Sequence, residues 1–331
     1  MTDFISKPFR RELLPELLSL VTSNAISRWP SVSYMMNSDI AWQLPGSNAR
    51  ATLRLWYDGD VSNPSEKNIA GYAWLALNAP VTMDLRTDLN WDHPIAEDML
   101  LWLEDQRRSY PALYPWTIEL SSMQEWEQAL EDNLPEKPAS NITFQIGSFD
   151  LDLDRTKFLE VHGYVATQNF NYYMSRSLDT PIPEVSLPPG MSLKHVEAID
   201  FPERIAMHRD AWFKSSYNMD AYLRLRNIDV YDPELDIVAV SENGTFGSYC
   251  IGWIDEQLGV GSFEPVGTRP AFRRQGLGQQ VNYEGLRRMK QKGMSHAKIG
   301  TAGFNDRAFG LYSSCGFTLI DKQRTFIKPD T

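Results

Sequence analysis

The stretch that most limits what this chain can fold into is VGTRPAFRRQGLGQQVNYEGLRRM, residues 266–289. It opens as the end of a strand-like run and closes as a helix. Leu277, Val281, Gly285 and Met289 step by four, and Gly293 is placed as a stop. Between the two lie a pair of arginines, Arg273 and Arg274, and two glycines, Gly276 and Gly278. An ordinary helix start needs only one Asn or Ser as a cap. Glycines let backbone approach a ligand without a Cβ in the way, first-turn N–H groups lack helical partners, and the helix dipole adds positive potential there. The combination suits an anion, and a phosphate above all.

Three kinds of loop answer that description. A P-loop requires GxxxxGK[ST], and the lysine is missing. A dinucleotide fingerprint requires GxGxxG, but counting from Gly276 the third glycine position holds Val281. What remains is R-x-x-G-x-G, Arg273 to Gly278, directly after a strand and opening a helix.

The clearest seam in the chain is LDTPIPEVSLPPGMSL, with Pro181, Pro183, Pro188 and Pro189 close together. Proline fixes φ and removes a ladder donor, so this reads as an extended linker with a boundary near residue 183. Beyond it the pattern predicts a short strand (MSLKHV), two helices (FPERIAMHRDAWF, MDAYLRLRNI), and a hairpin whose Asn243-Gly244 supplies a type I′ turn. A strand (GVGSFEPVGT), the loop and helix above, a buried strand (SHAKIGTAGF) and a short helix capped by Asn305 and ended by Gly316 follow. FTLID and RTFIKP close the sheet. The first half echoes this order faintly: strands in NIAGYAWLAL, PVTMDL and TFQIGSF, helices in IAEDMLLWLEDQRR and DRTKFLEVHGY, and a closing strand in NYYMSRSL.

Residues 264–317 resemble the acyl-CoA-binding core of the GNAT N-acetyltransferase superfamily: EPVGT, then RRQGLG, then Asn305, then LYSSCGF ending at Phe317. The resemblance is strong for residues 190–328 and weak before them. It implies a mixed α/β fold of two tandem GNAT-like acyl-CoA N-acyltransferase domains: residues 1–183 a degenerate copy, residues 184–331 the catalytic one. It implies acetyl-CoA as acyl donor and a primary amine as acceptor, attacked through a ternary complex; no metal is expected, because the histidines and cysteines show no ligand spacing. Carried onto this chain, Val266, Gly267, Thr268, Arg273, Arg274, Gln275, Gly276, Leu277, Gly278, Gln279 and Asn305 would contact the cofactor. The Val266 amide would hold the thioester carbonyl and Thr268 the pantetheine arm. Glu264 matches the general base and Tyr312 the acid that protonates the departing thiolate. Strand alternation would put Glu264, Val266 and Thr268 on one face. Each has a plain alternative: a surface strand glutamate, and a core tyrosine beside Ala308, Leu311 and Cys315.

The first half does not repeat the site. There is no glycine between Gly71 and Gly147, and RTDLNWDHP sets Asp88 and Asp92 where an anion-binding loop would avoid charge. Aligning Gly163-Tyr164 with Gly316-Phe317 places Leu159 opposite Tyr312. The first half is therefore expected to shape the acceptor pocket or an interface. Its tryptophans (Trp56, Trp74, Trp91, Trp102, Trp116, Trp126) read as core more readily than as a ligand cleft.

A formal charge of −11 argues against a sequence-independent nucleic-acid binder and mildly favours a cationic small acceptor. Cys250 and Cys315 sit in apolar contexts and imply no disulfide framework. The five histidines are scattered, with no ligand spacing for a metal. With no signal-peptide pattern and no membrane-length apolar run, a cytoplasmic monomer or homodimer with no membrane association is expected. A protein or peptide amine as acceptor, or a non-catalytic acyl-CoA sensor, are the other readings left open.

Overall fold

Two sheets organise the molecule, a computed structural model that describes residues 4–29, 34–37, 39–40, 52–58, 69–75, 81–109, 145–212, 215 and 217–329. The first sheet has four antiparallel strands in the order β1 (Phe4–Pro8), β2 (Thr52–Asp58), β3 (Ile69–Leu75) and β4 (Thr82–Leu85). Helices α1 (Leu14–Arg28) and α2 (Pro94–Ser109) pack against β3, whose side chains are all buried.

The second sheet has eight strands. Its members in chain order are β5 (Gln145–Phe149), β6 (Val165–Ser177), β7 (Met191–His195), β8 (Asp236–Ser241), β9 (Phe246–Asp255), β10 (Val260–Thr268), β11 (His296–Ala302) and β12 (Thr318–Ile327). Their spatial order is β5-β12-β6-β11-β10-β9-β8-β7. The halves of the chain are thus interleaved. Strand β6, from before the proline segment, lies between β11 and β12, and β12 in turn pairs with β5 of the first half. A single parallel bridge, Val81 to Ile146, continues the ladder toward the four-stranded sheet. FTLID and RTFIKP form one strand, β12, which pairs with β5 in an unbroken ladder and with β6 through a ladder with two register shifts.

Helices α3 (Leu153–Val161), α4 (Phe201–Ala211), α5 (Met219–Arg226), α6 (Leu277–Gln291) and α7 (Asp306–Ser314) are the other α-helices among the described residues. Helix α6 lies on β8 and β9 with Leu277, Val281, Gly285 and Met289 buried, as the four-residue spacing predicts. Each large apolar side chain buried there stabilises the fold by roughly 1.5–3 kcal/mol relative to leaving it in water. Gly285 is a packing requirement: a Cβ would sit 2.4 Å from the Phe263 ring. Gly293, at φ +87°, ends the helix, and the Met294 N–H donates back to Met289 O at 3.0 Å.

The β8–β9 turn differs from the expected type I′. Of Asn243 and Gly244, only Gly244 has positive φ, +83°. Ser241 N–H donates to Thr245 O and Gly244 N–H to Ser241 O, so the loop has three residues and ends in a glycine bulge. Asn243 instead uses its side-chain oxygen to receive the Thr245 N–H and the Ser241 hydroxyl.

Candidate active site

The sheet opens at the middle of β10. Strands β10 and β11 pair in parallel only from Val260–Ser262 to His296–Lys298. Beyond that, β10 pairs with β9 alone and β11 from Ile299 with β6 alone. Register shifts between Phe263 and Val266, where two residues face one on β9. Pro265 supplies a reason, since it has no N–H to give to a ladder. The bulge is held by the buried Trp253, whose indole N–H donates to Glu264 O at 2.7 Å. Simple alternation along β10 therefore fails. Glu264, Val266 and Thr268 still line one cleft, but the bulge brings them there.

That cleft, about 1150 Å³, lies between the separated strands, the Arg273–Gly278 loop and α7. Arg274 and Gly276 take positive φ, 61° and 78°, so the loop curls before α6 begins. Each of the two glycines here has a separate reason: Gly276 supplies the left-handed backbone of the curl, and at Gly278 a Cβ would press on the Leu311 side chain at 3.2 Å. Gln279 and Gln280 N–H groups turn inward to Gly276 O. The Leu277 and Gly278 N–H groups make no hydrogen bond among the described residues, and they sit at the positive end of α6. Arg273 and Arg274 are exposed at the cleft and have no carboxylate within ion-pairing distance among the described residues. Arg269 is different, being paired with Glu203 and Asp210 at 2.7 Å each.

Of the residues expected to touch a cofactor, Val266, Gly267, Thr268, Arg273, Arg274 and Gly276 line the cleft, as do Leu277, Gly278, Gln279 and Asn305. Leu277 points its side chain into the core, leaving only backbone for a ligand. Gln275 falls outside the lining: its amide donates to Ala271 O at 3.2 Å, which ties the loop to itself. Asn305 caps α7 by accepting the Ala308 N–H at 3.0 Å. Arg307, the second residue of α7, also lines the cleft and carried no signal in the sequence beyond a basic residue in a helix.

Glu264 and Tyr312 share this cleft. The Tyr312 ring is 7% exposed, and burial together with the Glu264 charge raises its pKa well above the usual phenol range, so it is neutral at pH 7. Glu264 is reached by solvent through the open cleft. Protein nonetheless crowds the carboxyl, and loss of solvation with the nearby Asp39 charge raises its pKa to about 7. A ligand filling the cleft removes more water and acts in the same direction. A hydrogen-bonded relay that starts at Trp212 in the cleft wall runs to the buried Tyr249. Trp212 N–H donates to the Tyr249 hydroxyl at 2.8 Å, and that oxygen lies 2.7 Å from His208 Nδ1. Burial and the Arg204 charge lower the His208 pKa to about 4, so the ring is neutral.

A second cavity of about 210 Å³ meets the first at Phe263, Glu264 and Gly300. Its far walls come from the first half: Tyr34, Asp39, Thr82 and Arg155, with Tyr173 on β6 and Gln323 on β12. None of these was singled out in the sequence, because residues 39, 155, 298 and 323 meet only through the interleaved strands. Trp56 and Trp74 are core, Trp91 and Trp102 pack in the first-half core, and Trp116 and Trp126 lie outside the described residues. Asp88, in the segment matching the glycine loop, is held ionised by Arg86. Leu159, opposite Tyr312 in that alignment, is fully buried.

Comparison with known proteins agrees with this geometry. Residues 202–317 match the acetyltransferase (GNAT) family. A mycothiol acetyltransferase from Saccharopolyspora erythraea is 27% identical over 176 residues, which is 51% of this chain and 57% of that protein. The chain therefore spans little more than half the length of that relative. Two solved structures share the fold along the whole chain. A GCN5-related N-acetyltransferase from Sphaerobacter thermophilus has a TM-score of 0.65 at 16% identity, covering 99% of this chain and 97% of its own. A tandem GNAT protein from the clavulanic acid biosynthesis pathway has a TM-score of 0.68 at 12% identity, covering 99% and 100%.

Proposed function

Residues 202–317 match the GNAT acetyltransferase family, and on that premise we propose that the chain transfers an acetyl group from acetyl-CoA to a primary amine of a small molecule. The observation that carries the reading is the opened sheet. It leaves β10 backbone unpaired toward β11, beside a glycine loop whose two arginines have no carboxylate within ion-pairing distance among the described residues, and puts Glu264 and Tyr312 in the same cleft. The loop amides and Arg273 and Arg274 suit the pyrophosphate of CoA. The loop fits that group: nothing lies within 4 Å of where a Cβ of Gly276 would stand, and its φ of +78° favours the glycine that keeps this space open.

The proposed chemistry is direct attack in a ternary complex. Glu264, ionised near neutral pH, takes a proton from the acceptor ammonium, directly or through water, and frees its lone pair. As the amine attacks the thioester carbonyl, the Val266 amide stabilises the charge growing on its oxygen. The C–S bond breaks, the Tyr312 hydroxyl gives its proton to the CoA thiolate, and the second proton of the new amide nitrogen leaves to solvent, from which Tyr312 is reprotonated. The Tyr312 environment supports a donor that begins protonated. The second cavity, which meets the cleft at Glu264 and is enclosed on the first-half side, supports a small acceptor over a protein segment.

Calorimetric titration with acetyl-CoA is the first test. One site per chain, with acetylation of an amine lost in Tyr312→Phe while acetyl-CoA still binds, is the expected result. No binding would remove the reading. Two sites would mean that the glycine-poor first half binds the donor as well.

A further inference from the structure

We propose that the acceptor amine carries a carboxylate, and that Arg155 of the first half binds it in the smaller cavity. This rests on the acetyltransferase reading above and deepens it by naming the acceptor class. Arg155 is 1% exposed. Its guanidinium is stacked between Tyr34, 3.9 Å from the ring centroid, and Trp91, at 4.7 Å. Its Nη1 donates to Met83 O at 2.6 Å. Nε is buried with no hydrogen-bond partner, and Nη2 makes no hydrogen bond among the described residues. No carboxylate of those residues lies within ion-pairing distance of it.

Burying a cation without an anion is costly, and aromatic stacking offsets only part of that cost. Nε and Nη2 form one edge of the guanidinium, the edge that receives a carboxylate through two parallel N–H···O bonds. The stack fixes the plane of the fork, so little freedom is lost when a ligand arrives. Arg155 thus has the form of a preorganised anion clamp at the wall of a cavity.

The rest of the cavity agrees with a ligand bearing both charges. Glu264 stands where the cavity meets the larger cleft, so the end facing the thioester suits an ammonium. Asp39 lines the same space and adds negative potential near that end, while Lys298 on β11 lines it too. A volume of 210 Å³ corresponds to about seven waters, the size of an amino acid or a similarly small amino carboxylate. Two carboxylates and two cations line one small space, and the Nε–Nη2 edge of Arg155 has no charged or hydrogen-bonding partner among the described residues.

The test uses full-length protein with α- and ω-amino carboxylates, each paired with its methyl ester. Acetylation is followed by release of the CoA thiol. Equilibrium binding of each compound is measured calorimetrically with CoA present, so that turnover is not required. In wild type at least one acid should exceed its ester by about thirtyfold in kcat/KM or in affinity, the range expected for a charge-assisted bidentate pair. Arg155→Met and Arg155→Lys should bring acid and ester together while leaving acetyl-CoA affinity unchanged. The lysine variant keeps the buried charge and decides the matter if the methionine variant does not fold. Equal values for acid and ester across the set, including no binding of either, overturn the assignment. So does discrimination that survives in Arg155→Lys. If acetyl-CoA itself fails to bind wild type, the acetyltransferase reading falls first. If it binds and the esters do as well as the acids, only the carboxylate assignment falls.

Discussion

Glu264→Gln gives the sharpest test of the proposed base, because the structure sets both the pH and the sign. An ordinary glutamate, with a pKa near 4.5, is fully ionised on both sides of neutrality and leaves no bend in a rate profile. With the pKa raised to about 7, roughly a tenth of Glu264 is ionised at pH 6 and nine tenths at pH 8. The ratio of wild-type to Glu264→Gln kcat/KM should therefore rise about tenfold between pH 6 and pH 8 and level above that. Taking the ratio removes the slope from the acceptor amine, whose own deprotonation affects both proteins alike. The assay is CoA-thiol release under subsaturating amine, in buffers of constant ionic strength. Stability supplies an independent reading. A carboxyl whose folded pKa is raised favours the fold below its unfolded pKa, and loses that contribution as pH rises through the folded one. The melting temperature of Glu264→Gln relative to wild type should thus increase from pH 4.5 to pH 7 and then hold. A flat activity ratio with the expected stability trend would leave Glu264 a crowded carboxyl without a role in proton transfer. A flat stability trend would refute the raised pKa itself.

Three further outcomes follow from the packing. Asp236→Asn should destabilise the protein by about 3–5 kcal/mol in chemical denaturation, because Arg204 is fully buried and Asp236 Oδ1 receives its Nε at 2.9 Å. The loss should be smaller than that only if Tyr222 and Tyr231, which donate to Asp236 Oδ2 at 2.7 and 3.0 Å, rearrange. Gly276→Ala should cost about 1–2 kcal/mol through its left-handed backbone and raise the KM for acetyl-CoA; Gly276→Asn should cost less, since Asn tolerates that region. A fragment of residues 184–331 should fail to unfold cooperatively, whereas residues 165–331, which keep β6, should recover most of the cooperative transition; equal behaviour of the two would show that β6 is dispensable.

How much of this was legible in the sequence depended on whether the signal was local. Helix α6, its glycine stop, the Asn305 cap and the strands of the second half were readable because each is decided by residues within a turn or a strand length of one another. The β8–β9 turn was misassigned by the same logic: Asn243-Gly244 suits a two-residue loop, but the ladder from Ser241 to Thr245 allows three residues and needs only one positive φ. The bulge at Glu264 had a signal, Pro265 within a strand, and simple alternation overlooked it. The smaller cavity had none. Arg155 reads as one of several basic residues on a helix, and nothing nearby in sequence shows that its fork meets a space bounded by β6, β11 and β12.

The interleaving explains why a first half without a phosphate loop would be kept in this arrangement. Where β10 and β11 part, the Ile299–Ala302 segment of β11 has β6 as its only strand partner. Without β6, one wall of the cleft would be an exposed edge with unpaired N–H and C=O groups, free to close on β10 or to pair with another chain. Supplying β6 therefore holds the sheet open. The same strand brings Tyr173 to the smaller cavity, and β12, by reaching across to β5, brings Gln323. The half without the glycine loop and the tyrosine supplies the strand that keeps the cleft apart, and the arginine that stands at its far end.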